Sequence, residues 1–307
     1  MTSPFGPLVL VADPSLAGGQ VGLQLPRLEE ALEAMRLEHR TVRVQRPGEA
    51  TEVTRASLQD GERFVVAVGD DRIVHEVVNG MMAGGKALVR DAILGVVPAG
   101  ATCDFPRTFG LPEEVVPAAS HLDGEGTFPI DVGKVTYTNR AGDQTEKYFA
   151  NVAQVGLGAA ALARADRLPQ RLGRGRYFFG FWFSLAGWKP APVRLQGDRR
   201  SLEERVRNIV VANGQFISGG QMISPRSWPG DGFFDVLVMK GPRSEAFTLL
   251  PKIFRGEHLP HRNIVELKSR RLGVEADREL WVEADGQPLG TTPATFEVIP
   301  QPISLKI

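Results

Sequence analysis

The fold turns on Phe64-Val65-Val66-Ala67-Val68-Gly69-Asp70-Asp71-Arg72-Ile73-Val74-His75-Glu76-Val77-Val78-Asn79-Gly80. Its first half is an apolar, β-branched run, the pattern of a strand buried on both faces of a parallel sheet. Gly69-Asp70-Asp71 marks a turn, after which Ile73, Val74, Val77, Val78 and Met81 recur at spacings of three and four. That is the apolar stripe of an amphipathic helix, which Gly80, or Gly84-Gly85 beyond it, can end. A strand that feeds a helix through such a turn aims backbone N–H groups past its own C-terminal end, a common place to hold phosphate.

Outward from this stretch, strand and helix alternate. Leu8–Ala12 reads as a first strand, and Leu25, Leu28, Leu32 and Met35 mark a helix over about 20–39. Residues 40–46 read as a second strand, 50–58 as a short helix and 92–98 as another buried strand. Such alternation with short turns implies right-handed crossovers and a parallel sheet. From about residue 128 short strands dominate, at 128–135, 148–155, 193–196, 206–212, 233–239, 265–268 and 280–284. Closely spaced strands predict an antiparallel sandwich or barrel, here interrupted by a helical insert over about 158–187. The expected fold class is α/β plus all-β: a Rossmann-like α/β domain over 1–127, then a β-rich domain over 128–299.

Composition narrows the function. The 307 residues carry 36 basic and 36 acidic side chains, so no global field draws the chain to nucleic acid or anionic lipid. Cys103 is the one cysteine, which excludes an internal disulfide and a cysteine-rich zinc site. Leu8–Ala12 is too short for a signal peptide or a span, and no stretch reaches ~18 uninterrupted apolar residues. The expectation is a cytoplasmic protein that contacts a membrane surface transiently and does not bind nucleic acid.

The opening stretch resembles the Gly-Gly-Asp-Gly-Thr…Asn-Glu-Val…Asn-Gly signature of the diacylglycerol/sphingosine-type lipid kinases, which share a nucleotide fold with NAD kinases. Gly69, Asp70, Glu76, Val77, Asn79 and Gly80 match, while Val68 and Asp71 stand for glycines, Arg72 for threonine and His75 for asparagine. Pro98 to Pro112 resembles the family's second motif: Pro98, Gly100, Asp104, Phe105, Arg107, Gly110 and Pro112 match, with Ala101 for threonine and Cys103 for asparagine. Asp13–Gly19 resembles a further family loop, although Pro and Gly would serve a plain strand-to-helix turn equally well. Asn151–Ala159, Asn213–Pro225, Asp231–Asp235 and Glu283–Pro288 continue the resemblance, the last with Gln287 for the family's glutamate.

The resemblance implies an NAD kinase-type first domain, to which a C-terminal strand (about 300–307) returns, and a site in the cleft between the domains. It implies ATP and Mg2+ as cofactors. The implied nucleotide-binding residues are Gly69, Asp70, Asp71, Arg72, Glu76, Gly100, Ala101, Thr102 and Asp104. Asp285 takes the position of the residue that removes the proton of a lipid hydroxyl, and Asp231 and Asp71 are the metal candidates. The function so implied is ATP-dependent phosphorylation of a diacylglycerol-like lipid. Two alternatives stand beside it: a kinase-like protein that binds lipid or nucleotide without transfer, and phosphorylation of a soluble acceptor such as NAD.

The residues themselves leave choices open. A carboxylate at Asp71 faces the place of a polyanion, and like charges at short range in a dry site repel strongly. Either Asp71 holds magnesium, or Arg72 clamps a phosphate, or both pair with neighbours and fill the vacated space. Asp285-Gly286 alone would read as a turn between two strands. Cys103 reads as a small residue in a tight loop, and His75 as a solvated or satisfied side chain. Tyr177–Phe183 reads mostly as core, with Arg171, Arg174 and Arg176 beside it giving a second reading as membrane-surface contact.

Overall fold

The computed structural model describes residues 3–100, 103–169, 172 and 175–307. Ala101, Thr102, Arg171 and Arg174, singled out above, lie outside the described residues. The chain divides into two compact units, Met1–Val132 with Ile299–Ile307, and Gly133–Val298.

In the first unit the order is β1 (Leu8–Ala12), α1 (Gln20–Ala34), β2 (His39–Arg43), α2 (Glu49–Gln59), β3 (Phe64–Gly69) and α3 (Asp71–Met81). A small hairpin of β4 (Met82–Ala83) and β5 (Lys86–Ala87) follows, then β6 (Ile93–Pro98), α4 (Val115–Ser120) and the start of β7 (Thr127–Thr138). The sheet runs β2-β1-β3-β6 with every pair parallel. The last residues of the chain add beside β6, also parallel, with Ser304 opposite Ile93 and Leu305 opposite Leu94. Every residue of β1, β3 and β6 is buried, as their unbroken apolar runs require. Leu8, Leu10, Phe64, Val66 and Val97 pack against Val21, Leu25, Leu28 and Leu32 of α1. Each such side chain, fully buried, contributes about 1.5–3 kcal/mol relative to exposure.

One expectation about α3 fails. Gly80 does not end the helix, which runs on to Met81. A Cβ at Gly80 would lie 2.5 Å from the Thr54 Cβ and 2.7 Å from the Thr51 carbonyl oxygen. The glycine is therefore where α3 touches α2. The turn is made by Gly84 and Gly85, both at positive φ.

In the second unit β7 continues into β8 (Gln144–Phe149), β9 (Val152–Gly156), α5 (Leu157–Ala165), α6 (Gly175–Gly187), β10 (Ala191–Gly197), β11 (Ser201–Val206) and β12 (Asn208–Ala212). There follow β13 (Phe216–Ile217), β14 (Gln221–Met222), β15 (Phe234–Met239), α7 (Ala246–Phe254), β16 (Ile264–Ser269), β17 (Arg271–Ala276), β18 (Trp281–Ala284) and β19 (Gln287–Lys306). One antiparallel array is β16-β15-β12-β9-β18-β19, and a second is β11-β10-β17, which rejoins β19 further along, with Leu272 opposite Phe296. Val155, Ile209, Val236 and Val282 of the first array share a core with Val193, Leu195, Leu272 and Val274 of the second. Phe149 stacks on Phe234 inside it at 5.4 Å. This is the sandwich architecture that the strand spacing predicts.

The structure corrects several boundaries. The expected strand over 148–155 is two strands parted at Ala150-Asn151, and that over 206–212 is two parted at Arg207. Among the described residues the insert holds two α-helices, α5 and α6. α7, β11 and β17 are additions; α7 is short and carries Pro251 in its interior, which obscures its helical pattern.

Candidate functional site

In the first unit the turn after β3 is built as the sequence suggests. Gly69 has φ 148, and Asp70 caps α3, its carboxylate accepting the Arg72 N–H at 3.1 Å. Burial, partly offset by Arg72, raises the Asp70 carboxyl above its usual range. Asp71 reaches to the loop after β6. Its carboxylate accepts the Asp104 N–H on both oxygens at 3.0 Å and the Phe105 N–H at 3.0 Å, with the Cys103 Sγ at 3.6 Å. Asp71 thus ties the first motif to the second. Asp104 is buried and meets the Arg107 guanidinium at 3.3 Å. Burial, then the carboxylates of Asp71, Asp70 and Asp104, push the Cys103 thiol well up, so it is not a reactive thiolate.

Glu76 points elsewhere. Its carboxylate accepts the N–H groups of Gly48 at 3.0 Å and Ala50 at 3.1 Å, at the N-terminus of α2. That satisfies donors a helix start leaves open and sets negative charge at the positive end of the dipole. The Gly100 N–H donates to the Gln24 Oε1 at 2.8 Å, and its backbone sits against Gln20 and Val21 of α1, where a Cβ would come within 2.9 Å. His75 is buried within α3.

In the second unit the polar centre is at one end of the sheet. β9 begins at Val152, opposite Ala212 at the end of β12 and one residue from Ala284 at the end of β18. The chain segments that flank these ends therefore meet. Asp285 follows β18 in a left-handed conformation (φ 47) and is buried. Its Oδ2 accepts the Ala150 N–H at 2.9 Å; its Oδ1 accepts those of Asn151 at 3.0 Å and Val152 at 3.1 Å. Its own N–H donates to the Val152 carbonyl at 2.9 Å. These bonds explain the break between β8 and β9: the amides of residues 150–152 turn to the carboxylate rather than to a ladder. The Asn151 carbonyl accepts the N–H groups of Asn213 and Gly214, and Asn213 Nδ2 donates to the Ala150 carbonyl at 2.6 Å.

Behind the turn lies a polar chain that the sequence reading did not single out. Glu283 Oε2 accepts the Gly286 N–H at 3.0 Å, and Oε1 accepts Gln154 Nε2 at 2.7 Å. Gln154 Oε1 accepts Asn208 Nδ2 at 2.9 Å, and Asn208 Oδ1 accepts the Gly158 N–H in the first turn of α5. Burial, partly offset by the Gln154 hydrogen bond, pushes the Glu283 carboxyl up to about 8. Glu283, Asn151 and Asn213 were missed as site residues. Each of the three stands at the head of a run quoted above for its resemblance, which was the signal that the sequence offered.

Asp231 shares none of these contacts. Its carboxylate pairs with Lys268 at 2.6 Å and accepts the Phe233 N–H at 3.0 Å. Among the described residues no group of three or more His, Cys, Asp or Glu side chains is placed to hold a metal ion. The N–H groups of residues 104–105 face Asp71, so at that point the residues do not fit an unaltered phosphate-binding wrap.

Comparison with known proteins agrees with this architecture. Residues 7–135 match the diacylglycerol kinase catalytic domain, and residues 151–307 match the YegS C-terminal NAD kinase beta sandwich-like domain. A diacylglycerol kinase of Mycobacterium tuberculosis is 30% identical over 275 residues, 86% of this chain and 85% of that protein. One from Bacillus subtilis is 27% identical over 252 residues, 81% of this chain and 79% of that protein. A solved diacylglycerol kinase structure from Bacillus anthracis superposes with a TM-score of 0.74 at 21% identity, over 99% of this chain and 97% of that one. The chain belongs to the lipid kinase family that joins these two domains.

Proposed function

We propose that this protein transfers a phosphoryl group from ATP, with magnesium, to the hydroxyl of a diacylglycerol-like lipid, and that it is a cytoplasmic protein meeting that lipid in passing at a membrane surface. The observation that carries the reading is the Asp285 turn. Three backbone N–H groups hold its carboxylate, and Asp285 and Gly286 are themselves anchored by Val152 and Glu283. A carboxylate fixed this way meets an acceptor hydroxyl in one orientation, within about 2.6–3.2 Å, the reach proton transfer needs. Asp285 then takes the hydroxyl proton as the oxygen attacks the γ-phosphorus of ATP, whose bond to the β–γ bridging oxygen breaks so that ADP leaves. The nucleotide and ion supply the phosphoryl group and charge neutralisation when bound. The Asp71 contacts supply no support for the family's phosphate wrap, so no step is assigned to that loop.

The test is transfer of radiolabelled phosphate from ATP to diacylglycerols, sphingoid bases, phosphatidyl lipids and NAD. Label in a diacylglycerol, lost in Asp285→Asn, is the expected result. The same Asp71 contacts favour a second reading, a kinase-like protein that binds lipid or nucleotide without transfer. A wild-type protein that binds ATP or lipid and labels nothing would install that reading instead.

A further inference from the structure

The aromatic run Tyr177–Phe183 is not core over its outer half, and the reason lies in how α6 packs. Its inner edge is Gly180, Ser184 and Leu185, all buried. A Cβ at Gly180 would lie 2.7 Å from the Ala161 carbonyl oxygen and 3.0 Å from the Ala165 Cβ. Small residues thus seat α6 on the alanine-rich α5, and the large rings are left for the other side. Phe178 is 60% exposed and Phe183 54%.

α7 extends this face. Phe247 is 66% exposed, and the Trp182 ring stacks on it with centroids 4.8 Å apart. Phe178 packs on Trp182 at 6.0 Å, and Phe179 on Phe183 at 6.1 Å. Arg243 Nη1 donates to the Ala186 carbonyl at 2.9 Å, tying the end of α6 to the turn before α7. The two helices form one surface, and the described charged residues within them, Arg176 and Lys252, are both basic. Among the described residues of 167–189 the charged ones are Arg167, Arg176 and Lys189, with no acid, and α7 contains Lys252 and no acid. The acid just before α7, Glu245, is turned to Asn263.

We propose that the α6–α7 face is a docking surface for an anionic lipid bilayer. Phe178, Trp182, Phe183 and Phe247 enter the acyl boundary, while Arg176, Arg243 and Lys252 meet headgroup phosphates. Exposed rings beside cations are the composition that settles at a bilayer interface. A second copy is a poorer occupant. An isologous contact sets the same patch against itself, bringing these cations together with no acid of either helix to answer them. The inference goes beyond the kinase reading, since docking needs neither ATP nor turnover.

The experiment is cosedimentation of the full chain, without nucleotide, with vesicles of equimolar phosphatidylcholine and phosphatidylglycerol or of phosphatidylcholine alone. Binding to the mixed vesicles should exceed binding to pure phosphatidylcholine and weaken with salt. Each exposed ring removed should weaken it about tenfold, so Phe178→Ser with Phe247→Ser costs about 100-fold. Lys252→Gln should cost about fivefold. Unchanged circular dichroism and melting temperature would verify that the double variant is folded. Binding that ignores the double variant overturns the proposal. So does a wild type that ignores vesicles and sediments as a dimer which the double variant dissociates, because the face is then covered by a second copy. Neither outcome depends on whether the protein transfers phosphate.

Discussion

Asp71 and Asp285 do the same local work in different units. Each is a carboxylate that gathers backbone N–H groups from a neighbouring segment: residues 104 and 105 for Asp71, residues 150 to 152 for Asp285. The difference is what the gathered amides would otherwise do. Those at 150–152 sit where two strands part, and without Asp285 they would be buried donors lacking a partner. Those at 104–105 lie in a loop where the family resemblance implies contact with nucleotide. There a side-chain anion holds the amides and fixes the loop. One carboxylate thus holds the break between two strands, and the other ties the turn after β3 to the loop after β6.

The largest expected effect tests the first half of that contrast. If Asp285 removes the acceptor proton, Asp285→Asn should lower turnover ~100- to 10,000-fold, about 3–5 kcal/mol in the barrier, and leave the ATP Kd unchanged. The structure adds a second effect. The asparagine NH2 must face at least one of three N–H groups, so stability should fall by about 1–3 kcal/mol. Turnover, ATP titration and urea melts on the same variant separate the two. Loss of stability with normal turnover would make Asp285 a structural turn residue.

Glu283 comes next, because it anchors the same turn from behind. Its carboxyl ionises near 4.5 in the unfolded chain and at about 8 when buried in the native one. Below 4.5 both states keep the proton and the contribution is complete; between 4.5 and 8 only the native state holds it, so stability falls as pH rises. The loss amounts to a few kcal/mol, with about 5 as the upper bound. Glu283→Gln should flatten that slope, although it forfeits one of the two hydrogen bonds the carboxyl accepts. Chemical denaturation across pH checks this: equal slopes for wild type and variant would remove Glu283 as the source.

Asp71 gives a smaller effect with two readable signs. Asp71→Gly leaves the N–H groups of Asp104 and Phe105 without their acceptor, about 1–3 kcal/mol in stability. If Asp71 blocks an anion, the same variant should bind ATP more tightly, since a charge and a Cβ leave together. If Asp71 holds magnesium, ATP binding should weaken in both Asp71→Gly and Asp71→Asn. Calorimetric titration with and without magnesium distinguishes the cases.

Much of this was legible in the sequence because periodicity reports burial. The unbroken apolar runs of β1, β3 and β6 and the stripe of α3 could hardly be read otherwise. Side-chain destinations were less legible. Gly80 reads locally as a helix stop and acts as a close contact with α2, a fact that resides in Thr51 and Thr54. The 148–155 run looked continuous because the carboxylate that interrupts it lies more than 130 positions away, at Asp285. The aromatic run of α6 has the composition of core, and only the small residues facing α5 turn it outward. In each case the deciding partner is distant in the chain, and local pattern carries no record of it.

The smallest effect concerns Glu76, the motif residue whose matching position suggested contact with nucleotide. Here it accepts the N–H groups of Gly48 and Ala50, and its carbonyl accepts the Thr51 hydroxyl at 2.9 Å. A glutamate from α3 thereby serves as the cap of α2, in place of the side chain that Gly48 lacks. Glu76→Gln keeps an acceptor oxygen but loses one of two hydrogen bonds and the charge at the helix start. The half-buried setting limits the loss to about 1 kcal/mol of stability. Its effect on ATP Kd should be negligible, in contrast to Asp71, whose amides belong to the loop after β6. A thermal melt and an ATP titration decide the matter together. A tenfold weaker ATP Kd with unchanged stability would return Glu76 to the nucleotide and extend the site from the end of β3 to the N-terminus of α2.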